Sequence, residues 1–505
     1  MPSEQHLHPA SILFGLIAQL REFGIPLVFA LVAGSRGGLE AIAPLALTLY
    51  TLVAVLRYYY YRYRFEEHEL VVKHGFFVRN ERHIPFARIQ NLDAIQNVLH
   101  RLLGVVDVRV DTGSGAETDA RLSVVTWDAY REMRERVFAG RRTAPATAAE
   151  GETDPAAPAE LDTPRVLLAL PTRELAIHGV IENRGGIVIA GLIGLLWEAG
   201  VTERVINRVA GDDVVESGRI RDAIGELWVG GVTLERLGLV VAAIAGVLIL
   251  IRLLSVVLAI IRLHGFRVSR AGEDLRAEYG LITRVSATIP LRRIQTLTVT
   301  DGILHRLFDR VTIRVDTAGG SGPDGGERRR ESLAPVIAGT RSEALIREVL
   351  PELDLSALAW QAPAEGALTR ELRRRLITSA VVAGLAALAI GWYALSLFGL
   401  LVAWHSVAAG RTVAHLGWAV VDGAVLFRSG WLRRHLTIAR YTRVQSVELV
   451  ESPFDRRWAM ARVSVDTAGA GAASHRVAIP YLTRPAAVAL HASLSAAAAR
   501  TAFHW

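Results

Sequence analysis

The chain has 505 residues, 51% of them hydrophobic, with 57 Lys and Arg against 50 Asp and Glu, a formal net charge of +7 and no cysteine. The missing cysteine excludes disulfides, thiolate metal sites and a cysteine nucleophile, and long Ala/Leu/Val/Ile runs exclude an ordinary soluble chain. Lys73 is the only lysine, and an arginine-dominated balance on so apolar a chain points to membrane flanks beside anionic lipid rather than to nucleic acid.

In chain order, residues 1–62 carry a lead-in segment and a first apolar pair, Phe23–Ala33 with Leu39–Leu56. No basic region followed by a small-residue cleavage site precedes it, so no cleaved signal is expected. Residues 63–140 alternate as antiparallel β structure and close on a helical pattern, Asp128–Phe138. Residues 141–165 read as a disordered linker, since Ala144–Pro164 is rich in Ala, Pro, Thr and Glu. A second apolar pair, Gly186–Ala199 with Leu237–Ile261, lies in 166–264 and is separated by a polar insertion at 201–230. Residues 265–353 form a second β domain, which contains the glycine-rich loop Gly319–Gly326 and closes on Arg341–Leu350. A linker, a lead-in helix and a third apolar pair, Leu376–Ile390 with Trp392–Ala409, occupy 354–411; a third β domain closing on Pro485–Ala499 fills 412–505. A bilayer span takes ~20 apolar residues, so each pair predicts a transmembrane helical hairpin. The first and fifth segments carry the weakest span signal, and Arg21 and Glu22 flank the first. Thr-Arg-Glu-Leu precedes two of the pairs, at 172–175 and 369–372, and predicts a short interfacial helix with Thr as N-cap and an acid in its first turn. The run Tyr58–Tyr61 fits an interfacial aromatic belt.

The β domains are copies of one another. From the anchors Gly75, Gly280 and Gly430, the same ungapped spacing leads to Arg88, Arg293 and Arg443, then to Gln90, Gln295 and Gln445, then to Arg101, Arg306 and Arg456. It ends at Val-Asp-Thr, whose aspartates are Asp111, Asp316 and Asp466. Chance does not produce three such series. Arginines crowd the β-domain side of every hairpin, among them Arg57, Arg62, Arg64, Arg262, Arg267 and Arg373–Arg375, while the opposite side is poor in them or offsets them with acids. All three β domains are therefore expected on the cytoplasmic side of a cell inner membrane.

These residues resemble a known family. Ile289-Pro290-Leu291-Arg292-Arg293-Ile294-Gln295, Leu304-His305-Arg306-Leu307-Phe308 and Val315-Asp316-Thr317-Ala318-Gly319-Gly320 are similar to the bacterial pleckstrin-homology (PH) membrane proteins of the YdbS/YdbT type, in their long three-copy form. The first copy matches with Ile84-Pro85-Phe86-Ala87-Arg88-Ile89-Gln90, and the third departs most, with Arg440 at the proline position. The resemblance implies an α+β membrane protein with three transmembrane helical hairpins, each followed by a small PH-like antiparallel β-barrel capped by a C-terminal helix. It implies no reaction, and it points to a hetero-complex with a smaller PH-domain membrane protein.

The repeated arginines and aspartates have two readings. One is a structural pair or set of backbone caps that fixes strand register; the other is a site for an anionic headgroup or a partner's carboxylate. Fifteen histidines bring no metal-ligand spacing, Asp111-Thr112-Gly113 ends a repeat strand rather than marking a protease, and Gly319–Gly326 lacks the Lys-Ser/Thr of a phosphate loop. No metal, cofactor or catalytic residue is therefore expected. The chain reads as a non-enzymatic membrane protein whose three domains bind or scaffold partner proteins or anionic lipid. A transporter or lipid-handling protein is the alternative, if Ser255, Thr378, Ser379 and Ser396 line one cavity; an enzyme would need a polar triad that the sequence does not offer.

Overall fold

The computed structural model describes residues 5–14, 51–52, 55–56, 58–75, 79–89, 91–112, 120–143, 165–198, 234–317, 330–353, 358–421, 423–467 and 477–500. Most of the first apolar pair, the 144–164 linker, the 201–230 insertion and the loop 319–326 lie outside the described residues.

One order of elements recurs three times. In the first unit, β2 (Arg62–Phe65), β3 (Glu69–His74) and β4 (Asn80–Pro85) run antiparallel, and a single 3-10 turn, Phe86–Arg88, leads into β5 (Asn91–Gln96). A short helix, α1 (Val98–Leu102), precedes β6 (Val105–Asp111) and β7 (Ala120–Thr126), and α2 (Trp127–Thr143) closes the unit. The second unit repeats this with β9 (Arg267–Ala271), β10 (Asp274–Tyr279), β11 (Arg284–Pro290), the turn Leu291–Arg293, β12 (Ile294–Gly302), α6 (Ile303–Leu307), β13 (Arg310–Thr317), β14 (Arg330–Ala338) and α7 (Gly339–Val349). The third has β15 (Gly417–Val421), β16 (Ala424–Ser429), β17 (Arg433–Arg440), the turn Tyr441–Arg443, β18 (Val444–Val450), α10 (Pro453–Arg457), β19 (Met460–Thr467), β20 (Val477–Thr483) and α11 (Arg484–Arg500).

The repeat residues explain the shared geometry. Gly280 and Gly430 close the second β-turn of their units at φ 112° and 87°. A side chain there would bring a Cβ to 1.9 Å of the Thr283 carbonyl or 2.0 Å of that of Arg433, so only glycine fits. The proline that enters the 3-10 turn sets φ at −58° in Pro85 and −65° in Pro290, but Arg440 adopts −76° at the same place. The third copy thus keeps the corner without the ring.

That corner carries the chain from one three-stranded sheet to another, and the two sheets of a unit pack face to face. Leu70, Ile84, Leu92, Val108, Val110, Leu122 and Met133 share one core in the first unit; Leu275, Ile289, Leu297, Ile313, Leu333 and Ile346 share one in the second. Strand pairing, however, runs between units. β5 of the first unit pairs with β11 of the second, and β12 of the second with β17 of the third. The expected closed barrels are therefore open two-sheet sandwiches, because the strands that would seal each barrel bond to the neighbouring unit instead. Among the described residues the sheets hold four, seven, six and three strands.

Each unit is also preceded by a short strand that pairs with its first one. β1 (Gln5–His6) lies on β2, β8 (Arg165–Ala169) on β9, and Gln361 bridges to Trp418 in β15. The residues before and after every apolar segment therefore meet at one sheet edge. After β8 come α3 (Thr172–Ile181) and α4 (Arg184–Glu198), both packed on α5 (Leu234–Leu263); before the third unit stand α8 (Ala367–Ile390) and α9 (Ala394–His415). Among the described residues two stretches are long and apolar enough to cross a bilayer, Ala245–Leu263 and the 49-residue Ala367–His415. The second doubles back at Gly391 (φ 57°), with Arg375 opposite Thr412 and Ser379 opposite His405, a helical hairpin. Among the described residues six separate spans are not in view. The described part of α4 ends at Glu198, beside residues outside the described set. The helix-cap expectation also fails: Pro171 precedes α3, no side chain caps it, and Thr369 lies inside α8.

Candidate interaction surface

The repeated residues fall into three places. Arg88, Arg293 and Arg443 end the 3-10 corner, with Arg88 exposed. Asp111, Asp316 and Asp466 sit near the ends of β6, β13 and β19, opposite Asn91, Thr296 and Ser446. Asp316 accepts a 2.7 Å bond from the Thr296 hydroxyl. Gln295 is 2% exposed and donates to the Arg293 carbonyl, Gln445 is exposed, and Gln90 lies outside the described residues. Arg443 faces arginines rather than Asp466. Burial, with Arg440 and Arg292 alongside, pushes its guanidinium pKa down, and Glu352 binds Arg440 at 2.7 Å.

Arg101 and Arg306 join units. Arg101 donates to the Leu281 carbonyl at 3.1 Å, and Arg306 to those of Trp431 and Leu432 at 3.4 and 3.5 Å. Leu281 and Trp431 each follow the anchor glycine of their unit, so the two arginines make one contact at both junctions. The strands beside them share one register as well. Gln96 pairs with Arg284 at the first junction, and the equivalent Asp301 with Arg434 at the second. Arg456, in the same place on the third unit, is exposed.

These junctions lie at the membrane end of the units. The Leu281 amide bonds to the Ile261 carbonyl at the foot of α5, and the Trp431 ring lies 5.7 Å from that of Trp404 in α9. Along the same end runs a row of exposed apolar side chains. It includes Leu102 (80% exposed), Leu307 (73%) and Phe454 (62%), at equivalent or neighbouring positions in the short helix of each unit, with Ile282 and Leu432 beside them. Apolar side chains in such numbers, alternating with arginine, make a surface suited to the headgroup region of a bilayer.

A second repeated contact escaped the sequence reading, although Thr-Arg-Glu-Leu signalled it. Its glutamate ties the lead-in helix to the β unit that follows. Glu174 in α3 takes both arms of Arg310 in β13 at 2.8 Å, and the bond to Arg310 holds its carboxyl below the usual range. Glu371 in α8, 2% exposed, takes the Tyr481 hydroxyl at 2.7 Å together with Arg374 and Arg375. Glu371, Arg374 and Tyr481 line a pocket of about 250 Å³ with Thr412 and Arg462. Of the Glu371 partners, Tyr481 on β20 ties helix to sheet, while Arg374 and Arg375 lie on α8 itself. Ser255 and Ser379 likewise bond their own helix backbone, and reach Gly185 and His405 across the packed helices. No group of three or more His, Asp or Glu among the described residues is placed to hold a metal.

Three two-sheet units with a closing helix, each fed from an apolar segment, define a multi-unit PH-like membrane protein. Residues 13–140, 225–352 and 367–498 each match the bacterial PH domain, and the chain belongs to that family. It is also similar to the UPF0699 transmembrane protein YdbT of Bacillus subtilis (strain 168), with 24% identity over 395 residues, covering 75% of this chain and 76% of that protein. No solved structure matches the chain.

Proposed function

We propose that the protein is a non-enzymatic scaffold of the bacterial inner membrane, presenting three PH-like units as one strand-linked platform on the cytoplasmic face of the bilayer. The observation that carries this is the pairing of units by backbone strands at their membrane end. Continuous sheets hold the three units on a common side, and the short strands β1 and β8 and the Gln361 bridge return the chain to the sheet it left. The arginine bias supports the cytoplasm as that side. Several repeated polar residues, among them Arg101, Arg306, Gln295, Asp316, Glu174 and Glu371, are engaged in junctions, turns and helix anchors, which suits a rigid platform. The apolar row seats the platform in the headgroup layer, anionic lipid meets its arginines, and other proteins of PH-like build are the partners it would gather.

Single cysteines at Leu102 and Leu307, in a chain that has none of its own, allow an environment-sensitive fluorophore to be placed in the row. In nanodiscs containing phosphatidylglycerol the label is expected to be quenched by lipid-borne quenchers but not by aqueous iodide. Iodide quenching equal to that of a label on the solvent side, for example at Arg347, would contradict the reading.

A further inference from the structure

The junctions between units leave two strand edges open at the ends of the array. β4 of the first unit occupies the place of β11 and β17 but ends its sheet among the described residues, and β18 of the third occupies the place of β5 and β12 and does the same. Burial records the difference. Thr300, under β17, is 3% exposed, while its counterpart Val450 is 42% exposed; Gln295 is 2% exposed while Gln445 lies open. On the other edge Thr437 is 7% exposed, and its counterpart Arg82 is exposed. Exposed strand edges template pairing with another chain.

We propose that β18 of one molecule pairs with β4 of a second copy of this chain, extending the array head to tail. Two features single out a second copy. Both internal junctions use one register, in which Gln96 faces Arg284 and Asp301 faces Arg434. Carried to the ends, that register sets Glu451 opposite Arg79, the same acid-to-arginine step as Asp301 and Arg434. It also sets Glu448 opposite Arg82, where the second junction has Thr298 opposite Thr437. Opposite charges across directly facing strand positions favour the pairing, whereas like charges oppose it. The edges are unlike, so each addition leaves one of each kind exposed, and the assembly closes as a ring or continues as an open row in the membrane plane.

Because the chain lacks cysteine, disulfide trapping reads the register directly. Facing residues of antiparallel strands lie within the Cα separation a disulfide spans, most closely at non-hydrogen-bonded pairs. Two differently tagged full-length chains are co-expressed and oxidised in native membranes, one with Glu448→Cys and the other with Arg82→Cys. A second combination, Val447→Cys with His83→Cys, tests the alternate pair type. At least one combination is expected to give a two-chain product at tenfold or more the yield of the shifted combination Ser446→Cys with Arg82→Cys. For a charge test at a neighbouring pair, Val447→Cys with His83→Cys is repeated with Glu448→Arg, which should lower the yield severalfold, and then with Arg82→Glu added, which should restore it. The in-chain pair Asp301→Cys with Arg434→Cys serves as the reference for correct folding. If that pair closes while no two-chain product forms, or the β18 cysteine is captured by a different protein, the inference is overturned and the platform itself still stands. Failure of this in-chain pair and of Thr300→Cys with His435→Cys, which samples the other pair type, would overturn both.

Discussion

Removing the Glu174–Arg310 fork should loosen the lead-in helix from the second unit without unfolding the array. Both bonds are 2.8 Å, and the side chains are 20% and 18% exposed. At such separations an ion pair near a protein surface is worth roughly 4 kcal/mol before desolvation. Partial exposure and the cost of stripping water leave a net of about 1–2 kcal/mol, at the low end for a charge-assisted bond. Global unfolding of a three-unit membrane protein is not two-state, so the observable is local opening by amide hydrogen exchange of the full chain in nanodiscs. Glu174→Gln should lower protection of α3 by about 5–30-fold, which is the same free energy expressed as a ratio. Arg310→Met, the residue that the third unit has at this place as Met460, should do likewise, and the double variant should lose less than the sum. The carboxyl pKa is lowered in the folded chain, so this stability is complete above the unfolded value near ~4.3 and disappears as pH falls through the folded value. Additive single effects, or unchanged protection of α3, would refute the anchoring role.

Other outcomes follow from the same geometry. His305, whose Nε2 lies 3.1 Å from the Thr312 hydroxyl, has its pKa pushed down to about 4 by burial and by Arg433 and other nearby cations. The neutral ring supports the fold above the unfolded value near ~6.5, and that support is lost as pH falls through about 4; a ring NMR signal moving near pH 6.5 would contradict this. Burial and Glu371 raise the Tyr481 pKa to about 12. Its contribution is therefore complete below the unfolded value near ~10 and fades as pH rises through 12, and Tyr481→Phe should remove one phenol from the last-titrating class in an ultraviolet titration. Asp316→Asn should weaken the 2.7 Å bond from Thr296 and cost about 1–2 kcal/mol of local stability at the β12–β13 pairing. Loss of lipid binding with unchanged exchange protection would instead make Asp316 part of a ligand site.

Much of this architecture was legible because spacing survives in sequence when its cause is steric. Gly280 and Gly430 have no substitute in their turn, and β alternation together with the closing helices follows from burial on one face. The continuity of sheets between units was not legible, since a strand's periodicity shows which face is buried and not whose backbone it bonds. Arg101 and Arg306 carried the clue, as equally spaced residues on short helices whose guanidinium groups reach carbonyls of the next unit. Glu174 and Glu371 were noticed through their shared tetrapeptide but assigned to helix capping. Their partners Arg310 and Tyr481 come from different strands, which no local pattern connects. Arg443 lies beside Arg440 and Arg292, a neighbourhood that its constant spacing to Asp466 does not reveal.

The central claim is that neighbouring units share a hydrogen-bonded sheet in the membrane-embedded protein. Cysteine pairs at Gln96 with Arg284 and Ile95 with Val285, and at Asp301 with Arg434 and Thr300 with His435, sample both pair types at both junctions. Oxidation of the full-length chain in native membranes should close at least one pair at each junction within a single chain. Closure of neither, in protein where the Glu278 and Ser286 positions of the β10–β11 hairpin cross-link normally, would contradict the platform.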